Sequence, residues 1–76
     1  MKSLNEMVEE EVILKEHEIT FLKLACSELT YREIADKMSL SPKTIDGYRD
    51  ALFTKCNAKN RIVLVIYAIK NKIYTV

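Results

Sequence analysis

Two cysteines and one histidine are the only residues of this chain that could serve as soft metal ligands or as a thiol nucleophile and its base. Cys26 and Cys56 lie far apart, and His17 is close to neither by metal-site spacing, so no ligand cluster can be written. Cys26 sits in the apolar stretch FLKLAC and reads as core, because free cysteine packs as a small hydrophobe. The single glycine, Gly47, excludes the glycine-rich phosphate loops, each of which needs at least two. Neither an enzyme, a metal site nor a bound cofactor is expected from this inventory.

Charge is the chemistry that remains. The net charge is only +1, but it is unevenly distributed. Residues 1–18 carry six glutamates against Lys2 and Lys15. Residues 31–61 carry Arg32, Lys37, Lys43, Arg49, Lys55, Lys59 and Arg61 against Glu33, Asp36, Asp46 and Asp50. An acidic lead followed by a basic centre and tail is the balance of a surface that meets a polyanion. Many solvated helical surfaces share it, so charge alone does not decide.

The elements that must position these charges are helices. With one glycine and one proline, the chain lacks the turn residues of a sandwich or barrel. Its 76 residues allow one small domain, near the lower limit for independent folding. Ile19, Leu22, Ala25/Cys26 and Leu29 recur at helical spacing, with Phe21 and Leu24 widening the stripe, and predict a first helix at 16–27. Thr30-Tyr31-Arg32-Glu33 has the form of a capping box and opens a second helix at 31–38, with Ile34, Ala35 and Met38 inward. Ser41-Pro42 supplies an N-cap and a first helical residue for a third at 42–55, with Asn57 near its end. Ile45, Tyr48/Arg49 and Leu52 share one face of it, Tyr48 as core rather than contact, and Lys43, Asp46, Gly47 and Asp50 lie on the other. Asn60 opens a fourth at 61–72, through a run apolar on every side. In that run Leu64, Val65, Ala68 and Ile69 are assigned inward, leaving Ile62, Val63, Ile66 and Tyr67 as an outward stripe for a partner.

The expected fold class is therefore all-α: a compact four-helix domain over residues 13–76, preceded by an acidic linker or arm at 1–12. No segment has the form of a signal peptide, and the apolar run Ile62 to Ile69 is too short to span a bilayer. A reduced, cytoplasmic setting without membrane attachment is expected.

The second and third helices, joined by Ser39-Leu40-Ser41, have the form of a helix-turn-helix. Three segments, LTYREIADKMSLSPKTIDGYR (29–49), LFTKCNAKNR (52–61) and LVIYAI (64–69), resemble the LuxR/NarL-type DNA-binding domain, the effector domain of many bacterial response regulators. With Glu18 and LKLACSE (22–28), the resemblance covers roughly residues 14–73. The chain departs from that pattern at Glu28, where the family usually has Gly, at Tyr48 for His, at Cys56 for Leu and at Asp46 for a frequent Lys. Ser39 also stands where helix-turn-helix sequences most often have Gly.

The resemblance implies sequence-specific binding of double-stranded DNA for transcriptional regulation, as the output domain of a two-component response regulator. The third helix would enter the major groove. Lys43, Asp46, Gly47 and Asp50 then become the base-reading set: Lys donates to guanine, Asp accepts from cytosine, and Gly lets the backbone approach. Arg32, Ser41, Thr44, Arg49, Lys55, Lys59 and Arg61 become the phosphate-holding set. Asp46 and Asp50 stand equally to be intrahelical partners of basic neighbours, and Arg49 to pair with an acid of the first helix. The implied partners are a second copy docked on DNA through the fourth helix, a receiver domain and RNA polymerase. The competing reading is a degenerate helix-turn-helix that binds another protein through its apolar fourth helix.

Overall fold

The computed structural model describes residues 12–75, so the linker or arm expected at 1–12 lies almost wholly outside the described residues. Four helices follow one another: α1 (Glu16–Ala25), α2 (Tyr31–Met38), α3 (Pro42–Lys55) and α4 (Arg61–Lys70). No strand occurs among the described residues. The fold is all-α, and α2 with α3 forms its helix-turn-helix.

Each of the last three helices starts on a side chain that satisfies an otherwise unpaired amide. Thr30 Oγ1 accepts from the Glu33 amide at 3.1 Å while Glu33 Oε1 accepts from the Thr30 amide at 2.8 Å, a complete capping box. Ser41 Oγ accepts from the Thr44 amide at 3.1 Å, with Pro42 as the first helical residue. Asn60 Oδ1 accepts from the Val63 amide at 3.0 Å. In α1 it is Glu18 that closes the first turn, accepting from the Lys15 amide at 2.8 Å.

The helix ends are less conventional. Ser39, Asn57 and Lys72 all have left-handed backbone, with φ of 57°, 52° and 60°. At each, the next residue's amide bonds back across the helix end: Leu40 to Ala35 O, Ala58 to Phe53 O and Ile73 to Ala68 O. This is the Schellman closure, usually made with glycine. The chain's one glycine is at none of these positions.

α1 packs against each of the other three helices, and α2 packs against α3. Phe21, Leu22, Ile34, Ile45, Leu52 and Leu64 are fully buried, and Ala25, Ala35, Ala58 and Ala68 let the helices approach closely. Three sequence expectations are corrected here. α1 and α4 end at Ala25 and Lys70, two residues before their expected ends. Ser27 Oγ bonds back to Leu24 O beyond α1, and the chain reverses at Lys72 beyond α4. The inward face of α1 is Glu18, Phe21, Leu22 and Ala25, with Ile19 only half-buried.

The face of α4 is the third correction. Leu64 and Ala68 are buried, and Val63 and Tyr67, expected to point outward, pack against the core. Ile69, expected inward, is exposed with Ile62 and Ile66. A run apolar on every side carries no phase of its own; the helices it packs on set the phase. The tail also folds back, with Ile73 and Tyr74 against the core, but Ile62 remains 70% exposed.

Candidate nucleic-acid interface

The capped start of α3 follows a tight turn, and its first turns bury Ile45 on one side and leave the other side to solvent. Lys43, Asp46, Gly47 and Asp50 are all exposed there, at the spacing that puts them on one face. Thr44 is half-buried beside the exposed Ser41, and the two hydroxyls are 3.0 Å apart. Tyr48, on the inward side, meets Phe21 edge-on at 6.3 Å between ring centroids and lies 4.6 Å from the His17 ring.

Gly47 has no internal reason to be glycine. Its φ is not positive, and a Cβ built on it meets nothing within 4 Å. A glycine in a helix interior costs about 1 kcal/mol relative to alanine. Three left-handed positions elsewhere in the chain do without glycine, so the residue is present where the fold gains nothing from it.

The basic residues divide into two groups. Arg32, Lys43 and Lys59 are exposed and make no ion pair among the described residues. Lys55 and Arg61, expected to hold phosphates, are instead engaged within the fold. Lys55 Nζ reaches the two carboxylate oxygens of buried Glu18 at 2.8 and 3.0 Å. Burial raises the Glu18 carboxyl, but Lys55 and the Lys15 amide outweigh it and hold the group below its ordinary value. Arg61 Nε donates to Ala25 O at 2.9 Å, and its Nη2 donates to Ser27 O and Leu29 O. One guanidinium thus gathers three carbonyls at the end of α1 and in the turn to α2, with its carbon 5.0 Å from the Tyr31 ring centre. Sequence reading missed both roles, which join residues more than thirty positions apart.

Arg49 belongs to α3 itself, and its partners are on α3 rather than α1. Its Nε donates to Asp50 Oδ1 at 3.1 Å, and its Nη1 to Asp46 Oδ1 at 3.4 Å. Its guanidinium carbon lies 5.5 Å from the Tyr31 ring centre. The Asp50 hydrogen bond and the two negative charges raise its already high pKa.

The cysteines are free and half-buried against the core, and burial pushes both thiols above their ordinary value. No metal-binding group of side chains occurs among the described residues, and no helix there is long and apolar enough to cross a membrane.

Comparison with known proteins addresses the same segments. The model of "Bacterial regulatory proteins, luxR family" matches residues 12–68, from the lead into α1 to the buried Ala68 of α4. The chain belongs to the luxR family. Among its relatives, the oxygen regulatory protein NreC of Staphylococcus epidermidis is 34% identical over 61 residues, covering 80% of this chain and 28% of that protein. The virulence-factor regulator BvgA of Bordetella pertussis is also 34% identical over 61 residues, covering 80% of this chain and 29% of its own. The chain therefore spans less than a third of the length of these curated relatives. No solved structure matches it. The helix-turn-helix is the DNA-binding element of luxR-family transcription regulators, and here it is α2, the turn at Ser39 and α3.

Proposed function

We propose that this luxR-family domain binds double-stranded DNA in a sequence-specific manner and is the output domain of a two-component response regulator, with α3 in the major groove. The observation that carries the reading is the face of α3. Lys43, Asp46, Gly47 and Asp50 project to solvent from a capped helix directly after the helix-turn-helix turn. Lys43 donates to guanine O6 or N7, Asp46 and Asp50 accept from cytosine N4, and Gly47 admits a base or backbone close to the helix. Arg32, Ser41, Thr44 and Lys59 hold phosphates on either side. Lys55, Arg61 and Arg49 drop out of the phosphate set, because Lys55 Nζ is bound to Glu18, Arg61 Nε and Nη2 to backbone carbonyls, and Arg49 Nε and Nη1 to Asp50 and Asp46.

Two copies use the exposed Ile62, Ile66 and Ile69 of α4 to meet on DNA, which sets their recognition helices about one turn of duplex apart. A receiver domain controls this pairing, and RNA polymerase is the downstream partner. The length and regulatory names of NreC and BvgA support such a setting.

The test is selection from a random duplex pool. A two-fold symmetric consensus, bound with an affinity that falls steeply with salt, is the expected result. Failure to enrich any sequence overturns the reading. Salt-insensitive association with a protein through Ile62, Ile66 and Ile69 would support the competing interaction-module reading, which rests on the same apolar stripe.

A further inference from the structure

The recognition face of α3 carries two acids where a polyanion is to be met, and both are tied to one arginine. Asp46, Arg49 and Asp50 form a linked triplet with bonds of 3.4 and 3.1 Å and a net charge of −1. The carboxylates are the outer members: the Asp46 and Asp50 side chains are 54% and 67% exposed, against 29% for Arg49. The arginine is held from its inner side as well, against the ring of Tyr31, the first residue of α2. Its charge is therefore bracketed by two carboxylates and an aromatic face.

We infer that Asp46 and Asp50 mask Arg49, and that this masking lowers the domain's affinity for DNA of arbitrary sequence. The inference rests on the DNA-binding reading above and deepens it. Phosphate contacts supply nearly all of non-specific binding, since every duplex presents the same backbone. A free arginine on α3 would add one such contact on any sequence. Two carboxylates hold its Nε and Nη1 and offset its charge, so a phosphate gains little there. A base edge that donates to a carboxylate still gains, because cytosine N4 is a donor and phosphate oxygens are only acceptors. The same two acids thus read bases and remove a backbone contact, which widens the gap between right and wrong sequences. Specificity of this kind is built from a penalty on the competitor as well as a contact to the target.

The experiment uses the full 76-residue chain and a random-sequence duplex, with affinity followed as a function of salt. Asp46→Asn, Asp50→Asn and the double variant all change exposed side chains, so folding is checked by thermal unfolding and is expected to persist. The double variant is expected to bind random duplex about tenfold more tightly near physiological salt, with a salt slope steeper by about one. Adding Arg49→Gln to the double variant should remove that gain, whereas Arg49→Gln alone should not tighten random-duplex binding. Wild-type affinity and slope in the double variant would overturn the inference. A gain that survives Arg49→Gln would overturn it too, because the acids would then act on phosphates directly. If neither the wild type nor any variant binds duplex, the DNA reading itself falls, and the masking with it.

Discussion

The cations at the base of the domain and those on the outer face of α3 differ in where their hydrogen bonds go. Arg61 and Lys55 reach back to α1 and the turn after it, one to three backbone carbonyls and the other to a buried carboxylate. Lys43 ends in solvent, and Gly47 beside it has nothing within 4 Å of where a Cβ would stand. All three cations lie in the basic stretch of the chain, and net charge does not distinguish them. Whether a cation serves the fold or a ligand depends on which acceptors the tertiary structure brings to it. Changes at the base should therefore alter stability, and changes on α3 should alter binding.

The largest effect is expected at Arg61. Arg61→Ala removes a charged donor from Ala25 O, Ser27 O and Leu29 O and the packing of its guanidinium on Tyr31. A loss of about 3 kcal/mol in unfolding free energy is expected. Arg61→Lys should recover only a small part, since an ammonium cannot span three carbonyls as a planar fork does. Urea unfolding measures both, and a loss below about 1 kcal/mol for Arg61→Ala would show that this cation is available to DNA after all.

Glu18 and Lys55 come next. Because the Glu18 carboxyl is held below its ordinary value of 4.5, its ionised form is favoured in the folded state. Its stabilisation is complete at neutral pH and is lost as pH falls through the folded-state value. Glu18→Gln should destabilise the domain by about 1–2 kcal/mol at pH 7 and flatten the acid limb of the stability curve. Equal acid sensitivity in the variant and the wild type would locate the titrating group elsewhere.

These two ties also mark where sequence reading stops. The starts of α2, α3 and α4 are legible because each is a local event: Thr30 with Glu33, Ser41 with Pro42 and Thr44, Asn60 with Val63. The helix-turn-helix follows from two such starts and a short turn, and so does the outward face of α3. Glu18 reads only as a first-turn acid, because Lys55 is 37 residues away. Arg61 reads as a surface cation, because its acceptors are backbone carbonyls, which no side-chain pattern announces. The phase of α4 is hidden for a different reason. Ile62 through Ile69 is apolar at every position, so only contact with α1 shows that Leu64 and Ala68 face in.

Gly47→Ala tests the outer face. Alanine fits without contact and has the higher helix propensity, so the free domain should gain about 1 kcal/mol. On the selected duplex the same change should weaken binding, because a methyl group then stands where the groove approaches the helix. Thermal unfolding and titration of one preparation separate the two effects. A variant that is more stable and binds equally well would mean that nothing approaches Gly47.

The smallest effect is expected at Ser39, and it sharpens the meaning of Gly47. Ser39 holds φ at 57°, a conformation that costs a residue with a Cβ about 1 kcal/mol or more. Ser39→Gly relieves that strain but adds freedom to the unfolded chain, so a net gain of about 0.5 kcal/mol is expected. Ser39 lies in the turn before α3 and presents nothing to the base-reading face, so duplex affinity should stay at the wild-type level. The two substitutions are then opposites in chemistry and alike in stability: glycine introduced at Ser39 and removed at Gly47 both strengthen the free domain. Only the second should reduce DNA binding. If both reduce it equally, the turn takes part in recognition and the separation between fold and outer face begins beyond Ser41; if Gly47→Ala alone does, the chain's single glycine marks the point of closest approach.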